Sequence, residues 1–320
     1  MTASLRVTVP DDRWSDPWVD VPERPRPSGV EIRVWDMVDP LPADGSARPG
    51  ADVVVAPYMS PGDWLGRLPE VEGLRVLQTL TAGYEGILER LPAGVTLCTA
   101  AGVHDASTAE LAVGLAIAVL RGLGQAALDA TSGTWDHVTR PSLADRRVLL
   151  IGSGSVGSAI AARLAPFEVT VTRVASRARD DAGGHLHGPD ELPALLPRHD
   201  VVVLACPLTD ATRGMVDAEF LAALPDGALV VNIARGPVVV TDALLAELTS
   251  GRLMAAMDVV DPEPLPADHP LWQAPNVLIS PHVGGDTTAF PPRARALLRD
   301  QIERMLDGRP LRHVITRGGG

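Results

Sequence analysis

The stretch RRVLLIGSGSVGSAIAARLAPFEVTVTRV, residues 146–174, decides the fold. It opens on a short apolar run, Val148 to Ile151, and closes on a β-branched one, Val169 to Val174. Between them lies a Gly-x-Gly-x-x-Gly turn, Gly152-Ser153-Gly154-Ser155-Val156-Gly157, followed by an alanine-rich helical segment. A strand feeding a glycine turn that opens a helix is the context a dinucleotide cradle requires. Gly152 permits the tight turn, Gly154 lets backbone approach a pyrophosphate, and Gly157 lets the helix pack against the strand. The first turn of the helix then offers free N–H groups and a positive dipole end to phosphate.

Outward from this unit the pattern repeats. HDVVVLAC (199–206), GALVVNI (227–233), LMAAMDVV (253–260) and NVLISP (276–281) read as buried strands, separated by helical stretches such as 217–224 and 242–249. Continuous apolar runs alternating with helices predict a doubly wound, mostly parallel α/β sheet. Upstream, LRVTV (5–9), VEIRVWD (30–36), ADVVVAP (51–57), LRVLQTL (74–80) and VTLCTA (95–100) predict a second α/β sheet, with short helices or turns such as ILERLP (87–92). Residues 10–30 hold five prolines and read as a surface loop. Ser107 and Glu110 have capping-box spacing ahead of ELAVGLAIAVLRGL, a helix apolar nearly all round and therefore expected to be buried on most faces. RARALLRDQIERMLDG (293–308) predicts an amphipathic helix that Gly308 terminates. The chain ends in Gly318-Gly319-Gly320, which predicts disorder.

At 320 residues the chain has room for two domains. With 46% hydrophobic and 21% charged residues it is globular rather than disordered. A net charge of −12 argues against a nucleic-acid binder. The longest apolar run, LAVGLAIAVL (111–120), is about half a membrane span, and MTASLRVTVPDDRW lacks a signal-peptide core, so the expected location is cytoplasmic. Cys98 and Cys206 are far apart and predict no disulfide. All 28 basic residues are arginine, which removes lysine general bases and Schiff-base chemistry.

Three residues carry the expected chemistry: Arg235 in NIARG (232–236), Glu263 in DPEP (261–264) and His282 in SPHVGG (280–285). Each follows the end of a predicted strand, where open α/β sheets bind ligands. A guanidinium fork grips a carboxylate by two parallel hydrogen bonds and can polarise an adjacent ketone. A histidine that titrates near neutrality suits proton delivery to a carbonyl oxygen. Glu263 at its far nitrogen would fix the ring and raise its pKa. Cofactor choice is read where EVTVTRV runs out. The position expected to hold an acid is near Ala175, and Ser176 and Arg177 follow, with Arg179 close by. A hydroxyl and an arginine there favour a 2′-phosphate, hence NADP(H) over NAD(H), unless Asp180 or Asp181 swings in. Asp258 either contacts the nicotinamide end or caps the turn before Pro262. His185-x-His187 reads as part of a glycine-rich loop with no third ligand in view, so no metal is expected.

The ordered set TAELAVGLAIAVLR (108–121), the glycine turn, CPLTDATRGMV (206–216), DGALVVNIARGPVV (226–239), MDVVDPEPLP (257–266), HPLW (269–272) and SPHVGG resembles the D-isomer-specific 2-hydroxyacid dehydrogenases, the group that contains glyoxylate and hydroxypyruvate reductases. The resemblance implies NAD(P)H-dependent reduction of a small 2-oxo acid, with Arg235 as carboxylate binder, His282 as acid/base and Glu263 as its partner. It implies substrate contacts from the backbone of Thr81, Ala82 and Gly83. It also implies cofactor contacts at Gly152, Gly154, Ser155, Val156, Gly157, Ser176, Arg177, Cys206, Pro207, Thr212, Ala234, Asp258 and Gly284. The implied architecture is a Rossmann dinucleotide domain over 105–285 and a smaller flavodoxin-like substrate domain built from both termini, 1–104 and 286–320. A homodimer through the helix near 108–124 is implied too. There are departures: Thr99-Ala100-Ala101-Gly102 replaces the family's Asn-Ala-Pro-Gly-like turn, and the acidic NAD determinant is missing. A rival reading is a nucleotide-sensing binding protein of the corepressor type on the same fold. A third is oxidation of a small anion such as formate, which Glu263 disfavours as the histidine's partner.

Overall fold

A computed structural model describes residues 4–38, 50–60 and 63–316; the glycine tail lies outside them. The chain divides into two units, Met1–His104 with Thr288–Gly320, and Asp105–Thr287. Asp286 and Thr287 go with the second unit, where their N–H groups donate to Val283 O and Gly285 O.

In the first unit, β1 (Leu5–Val9), β2 (Val30–Val34), β3 (Val53–Val55), β4 (Val76–Gln78) and β5 (Thr96–Cys98) realise the five predicted strands, each shorter than its apolar run or equal to it. Their order, β2-β1-β3-β4-β5, is flavodoxin-like, and every pair is parallel. The C-terminal strand Val314–Ile315 adds antiparallel to β5. Alternation along the strands feeds two cores. Val53 and Val55 face Ala294, Leu298 and Ile302 of the helix Phe290–Leu306, whereas Val54 and Leu77 face Trp35 and Leu68. Gly308 follows that helix at φ 66, the left-handed conformation of a helix terminator. The proline-rich stretch 10–30 corrects its reading: it carries Trp14 and Trp18, both buried in the first core. Its prolines mark the absence of a strand, not of burial.

The second unit runs α1 (Asp105–Leu120), α2 (Leu123–Ser132), β6 (Arg147–Ile151), α3 (Ser155–Leu164), β7 (Thr170–Val174), β8 (Arg179–Asp181), β9 (Gly184–His187), α4 (Leu192–Leu195), β10 (Val201–Leu204), α5 (Ala218–Ala222), β11 (Leu229–Asn232), α6 (Thr241–Thr249), β12 (Met254–Met257) and β13 (Val277–Ile279). The sheet order is β13-β12-β11-β10-β6-β7-β9-β8, parallel except for β8 against β9. Val148, Leu150, Val201 and Val203 pack beneath α1 and α3, while Leu149, Ile151, Val202 and Leu204 pack against α5 and α6. Both faces are thus covered, as continuous apolar strands require. From β6 the chain builds β7 on one side and crosses to β10 on the other, so the glycine turn sits at the topological switch point.

Three local readings change. Helix α1 begins at Asp105, so Ser107 and Glu110 lie inside it and form no N-terminal box. It stops at Leu120 because Gly122 turns left-handed (φ 63), and α2 follows at a 59° bend. Residues 179–187 form a β-hairpin rather than a loop, its antiparallel strands giving the glycines a turn to make. No single helix among the described residues is long and apolar enough to cross a membrane. Cys98 and Cys206 are free, and burial pushes both thiols up to about 11.

Candidate active site

Arg235, Glu263 and His282 follow the carboxyl ends of β11, β12 and β13, three successive strands of one sheet. Each loop is held by backbone-directed contacts. After β11, the buried Asn232 clamps the Arg235 turn with both ends of its amide. Its Oδ1 accepts from Ala234 N–H (3.0 Å) and its Nδ2 donates to Arg235 O (3.0 Å). The Arg235 guanidinium donates to Ala234 O (2.7 Å). Gly236 comes next because nothing larger fits: a Cβ there would lie 1.8 Å from Val260 O. This close approach presses the Arg235 loop against the start of the Glu263 loop. Thr241 Oγ1 adds a second tie, donating to Asp261 O at 2.8 Å.

His282 sits at φ 53, a conformation few side-chain-bearing residues adopt. The turn is held there by Asp258, which is 3% exposed at the end of β12. Asp258 O accepts from His282 N–H (2.8 Å). Its carboxylate accepts from Ser280 Oγ (2.6 Å), Val283 N–H (3.0 Å) and Gly284 N–H (2.9 Å). A Cβ on Gly284 would come 2.9 Å from the same carboxylate. Asp258 and Gly284, expected among the cofactor contacts, are therefore engaged with each other. Asp258 holds the 280–284 turn rather than the one before Pro262. The His282 Nδ1 pairs with Glu263 Oε1 in a very short contact, and both side chains remain about one-third exposed. With Nδ1 so engaged, Nε2 is the nitrogen open to a ligand.

At the glycine turn, Gly152 has φ 118, and a Cβ would meet Ala205 O at 2.4 Å. A Cβ on Gly157 would meet Gly152 O at 2.0 Å. Both are demanded by packing. Gly154 is different: no atom lies within 4 Å of a Cβ built there. It caps α3 without a side-chain hydrogen bond, so the first N–H groups of Ser155, Val156 and Gly157 are open to an anion. Ser155 Oγ donates to Asp105 Oδ1 (3.1 Å). Opposite the turn, the loop after β10 holds the buried Cys206 and the exposed Pro207, and is folded by Thr212, whose hydroxyl donates to Pro207 O (2.7 Å).

Beyond β7, Ser176 and Arg177 are exposed, and the buried Ala175 occupies the acid's place. The two aspartates that would serve NAD are engaged elsewhere. Asp180 meets His185 Nδ1 (2.8 Å), and Asp181 takes Arg173 in a double hydrogen bond (2.9 and 2.7 Å). Arg179 Nη2 donates to Ser153 Oγ (3.2 Å), bringing a guanidinium to the rim of the glycine turn.

In the first unit, Thr81 shapes the bend that holds Ala82 and Gly83: its hydroxyl donates to Gly83 O and its carbonyl accepts from Ala100 N–H, both at 2.8 Å. A cavity of about 150 Å³ beside it is lined by Pro57, Met59, Trp64, Leu80 and Ile87 among others. Sequence reasoning did not single out Asn232 or the Arg179–Ser153 contact. A buried-type strand ending in asparagine was the available signal for the first.

Residues 113–284 match the model of the D-isomer specific 2-hydroxyacid dehydrogenase, NAD binding domain. The chain belongs to the D-isomer-specific 2-hydroxyacid dehydrogenase family. Human glyoxylate reductase/hydroxypyruvate reductase is 33% identical over 276 residues, 82% of this chain and 84% of that protein. The chloroplastic/mitochondrial formate dehydrogenase of Arabidopsis thaliana is 28% identical over 79% of this chain and 69% of its own. A family member from Xanthobacter autotrophicus Py2, solved with NADPH and MES, superposes with a TM-score of 0.79 at 27% identity, covering 98% of each chain. The protein is thus a nicotinamide-dinucleotide-dependent dehydrogenase of the 2-hydroxyacid and formate type.

Proposed function

We propose that this dehydrogenase reduces a small 2-oxo acid, of the glyoxylate or hydroxypyruvate type, to the D-2-hydroxy acid. The observation that carries this reading is the His282–Glu263 pair on the strand edge shared with Arg235. A bound nicotinamide supplies the hydride. Arg235 holds the substrate carboxylate and polarises the ketone through its fork. The Nε2 of His282 donates the proton to the ketone oxygen, and Glu263 on Nδ1 keeps the ring in the orientation that presents it. The second unit is the dinucleotide domain, and Thr81, Ala82 and Gly83 of the first are substrate contacts. The empty space over Gly154 supports a pyrophosphate there, since protein packing gives no reason for that glycine.

NADP(H) is the preferred cofactor. Asp180 and Asp181 are tied to His185 and Arg173, while Ser176, Arg177 and Arg179 supply the hydroxyl and cations that suit a 2′-phosphate. The solved relative with NADPH supports the same preference. A homodimer through α1 and its continuation is supported by α2, which buries no residue, and by Trp135, 94% exposed just beyond it.

The direct test is NADPH consumption across 2-oxo acids, with NADH and formate as comparison arms. His282→Ala is expected to lower kcat by about 10²–10⁴-fold, as loss of a general acid does. Unchanged turnover refutes the assignment of His282, and a folded protein that turns over none of the acids refutes the reaction.

A further inference from the structure

We infer that the β8–β9 hairpin, with the turn that follows it, binds a divalent transition-metal ion through His185, His187 and Glu191. The sequence offered only a pair of histidines; the fold supplies the third ligand. In β9 the two-residue period puts His185 and His187 on one face, and their rings meet edge to face with centroids 4.7 Å apart. The turn Pro189–Glu191 then folds Glu191 back onto that face. Its Oε1 is anchored by Gly188 N–H (2.9 Å), and its Oε2 lies 2.7 Å from His187 Nδ1. One ligand atom from each of the three residues falls within 4.8 Å of the other two.

Behind His185 stands a second carboxylate, Asp180, at 2.8 Å from Nδ1. A carboxylate on one imidazole nitrogen fixes the ring and raises the basicity of the other, the arrangement found behind metal-bound histidines. Two imidazoles with carboxylate oxygen suit zinc, cobalt, nickel or copper rather than magnesium or calcium. Exposed histidine–carboxylate pairs contribute little to stability, so stability alone does not account for two of them converging. A bound ion would cross-link β9 to the turn at 188–191 and stiffen the hairpin from which Arg179 reaches Ser153.

The site is tested on tag-free, chelator-stripped protein titrated with Zn²⁺ and Ni²⁺ by calorimetry. One ion per chain is expected, with a Kd in the micromolar range or tighter. The His185→Ala/His187→Ala double variant should weaken binding by at least about tenfold, and Glu191→Gln by a similar factor. His282→Ala should leave it unchanged, which separates this site from the His282–Glu263 pair. Amide exchange over residues 179–191 should slow with Zn²⁺ in the parent chain and not in the double variant, a readout independent of any turnover. Absence of binding below about 100 µM Zn²⁺ in the folded parent, or ion binding that survives the double substitution and is lost with His282→Ala, overturns the proposal.

Discussion

The two ends of the second unit's sheet are built in opposite ways. At β11–β13, the loops bearing Arg235, Glu263 and His282 are held by buried groups aimed at backbone: the Asn232 amide, the Asp258 carboxylate and the absent side chain of Gly236. At β7–β9, the loops that would choose between cofactors are held by exposed side-chain pairs, Arg173–Asp181, Asp180–His185 and Arg179–Ser153. Buried polar groups are costly when unpaired and so enforce one geometry; exposed pairs are screened and contribute little. The chemical edge is thus over-determined, and the selecting edge is adjustable without risk to the fold.

The sharpest way to break this contrast is Asp258→Ala. It strips acceptors from Ser280 Oγ, Val283 N–H and Gly284 N–H and frees a turn whose His282 sits at positive φ. A stability loss on the order of 3 kcal/mol in urea unfolding is expected, with kcat reduced at least about 10²-fold if His282 is the proposed proton donor, because it would be misplaced. An Asp258→Ala variant with parental stability and turnover would mean that the turn holds itself. Asn232→Ala should act more narrowly. It unpairs Ala234 N–H and Arg235 O, costs about 2 kcal/mol, and should raise KM for the 2-oxo acid more than it lowers kcat if the Arg235 guanidinium on the loop it frees is the proposed carboxylate binder. A kcat loss with unchanged KM would reassign Arg235.

This contrast also explains what was legible in the sequence. The parallel sheets, the glycine turn and the strand-end positions of Arg235, Glu263 and His282 could be read because apolar runs and strand-end signatures are local. The packing reasons for Gly236 and Gly284 could not, because each is demanded by a backbone or carboxylate from a distant segment, Val260 and Asp258. The capping box at Ser107 failed for the same reason: Asp105, at the start of the helix, is fixed by a contact with Ser155, fifty residues away. The 179–187 hairpin was hidden by its composition, RDDAGGHLH, whose charges and glycines say loop until pairing with β7 supplies a partner.

At the selecting edge, Arg179→Ala should leave stability within about 0.5 kcal/mol and kcat with saturating NADPH nearly unchanged. It should raise the KM for NADPH about tenfold relative to that for NADH if a charge-assisted contact to the 2′-phosphate is lost. Equal effects on both cofactors would make Arg179 a support for Ser153 and leave selection to Arg177.

The smallest effect belongs to Arg173–Asp181, and its pH dependence gives the sign. Arg173, hydrogen-bonded to both carboxylate oxygens, holds Asp181 below its ordinary value, helped by Gly183 N–H. A carboxyl depressed in the folded state stabilises above its unfolded pKa and loses that contribution as pH falls through the folded one. The contribution of this pair to amide protection in 179–187 should therefore be flat from neutrality to about pH 5 and decline below about pH 4. Protection at β11–β13 should persist until global unfolding. Arg173→Met should lower hairpin protection at pH 7 and shrink the acid-dependent step to the part that Gly183 N–H sustains. If protection at β11–β13 fell in parallel with the hairpin, the two edges would form one cooperative unit, and the adjustable rim would lose its physical basis.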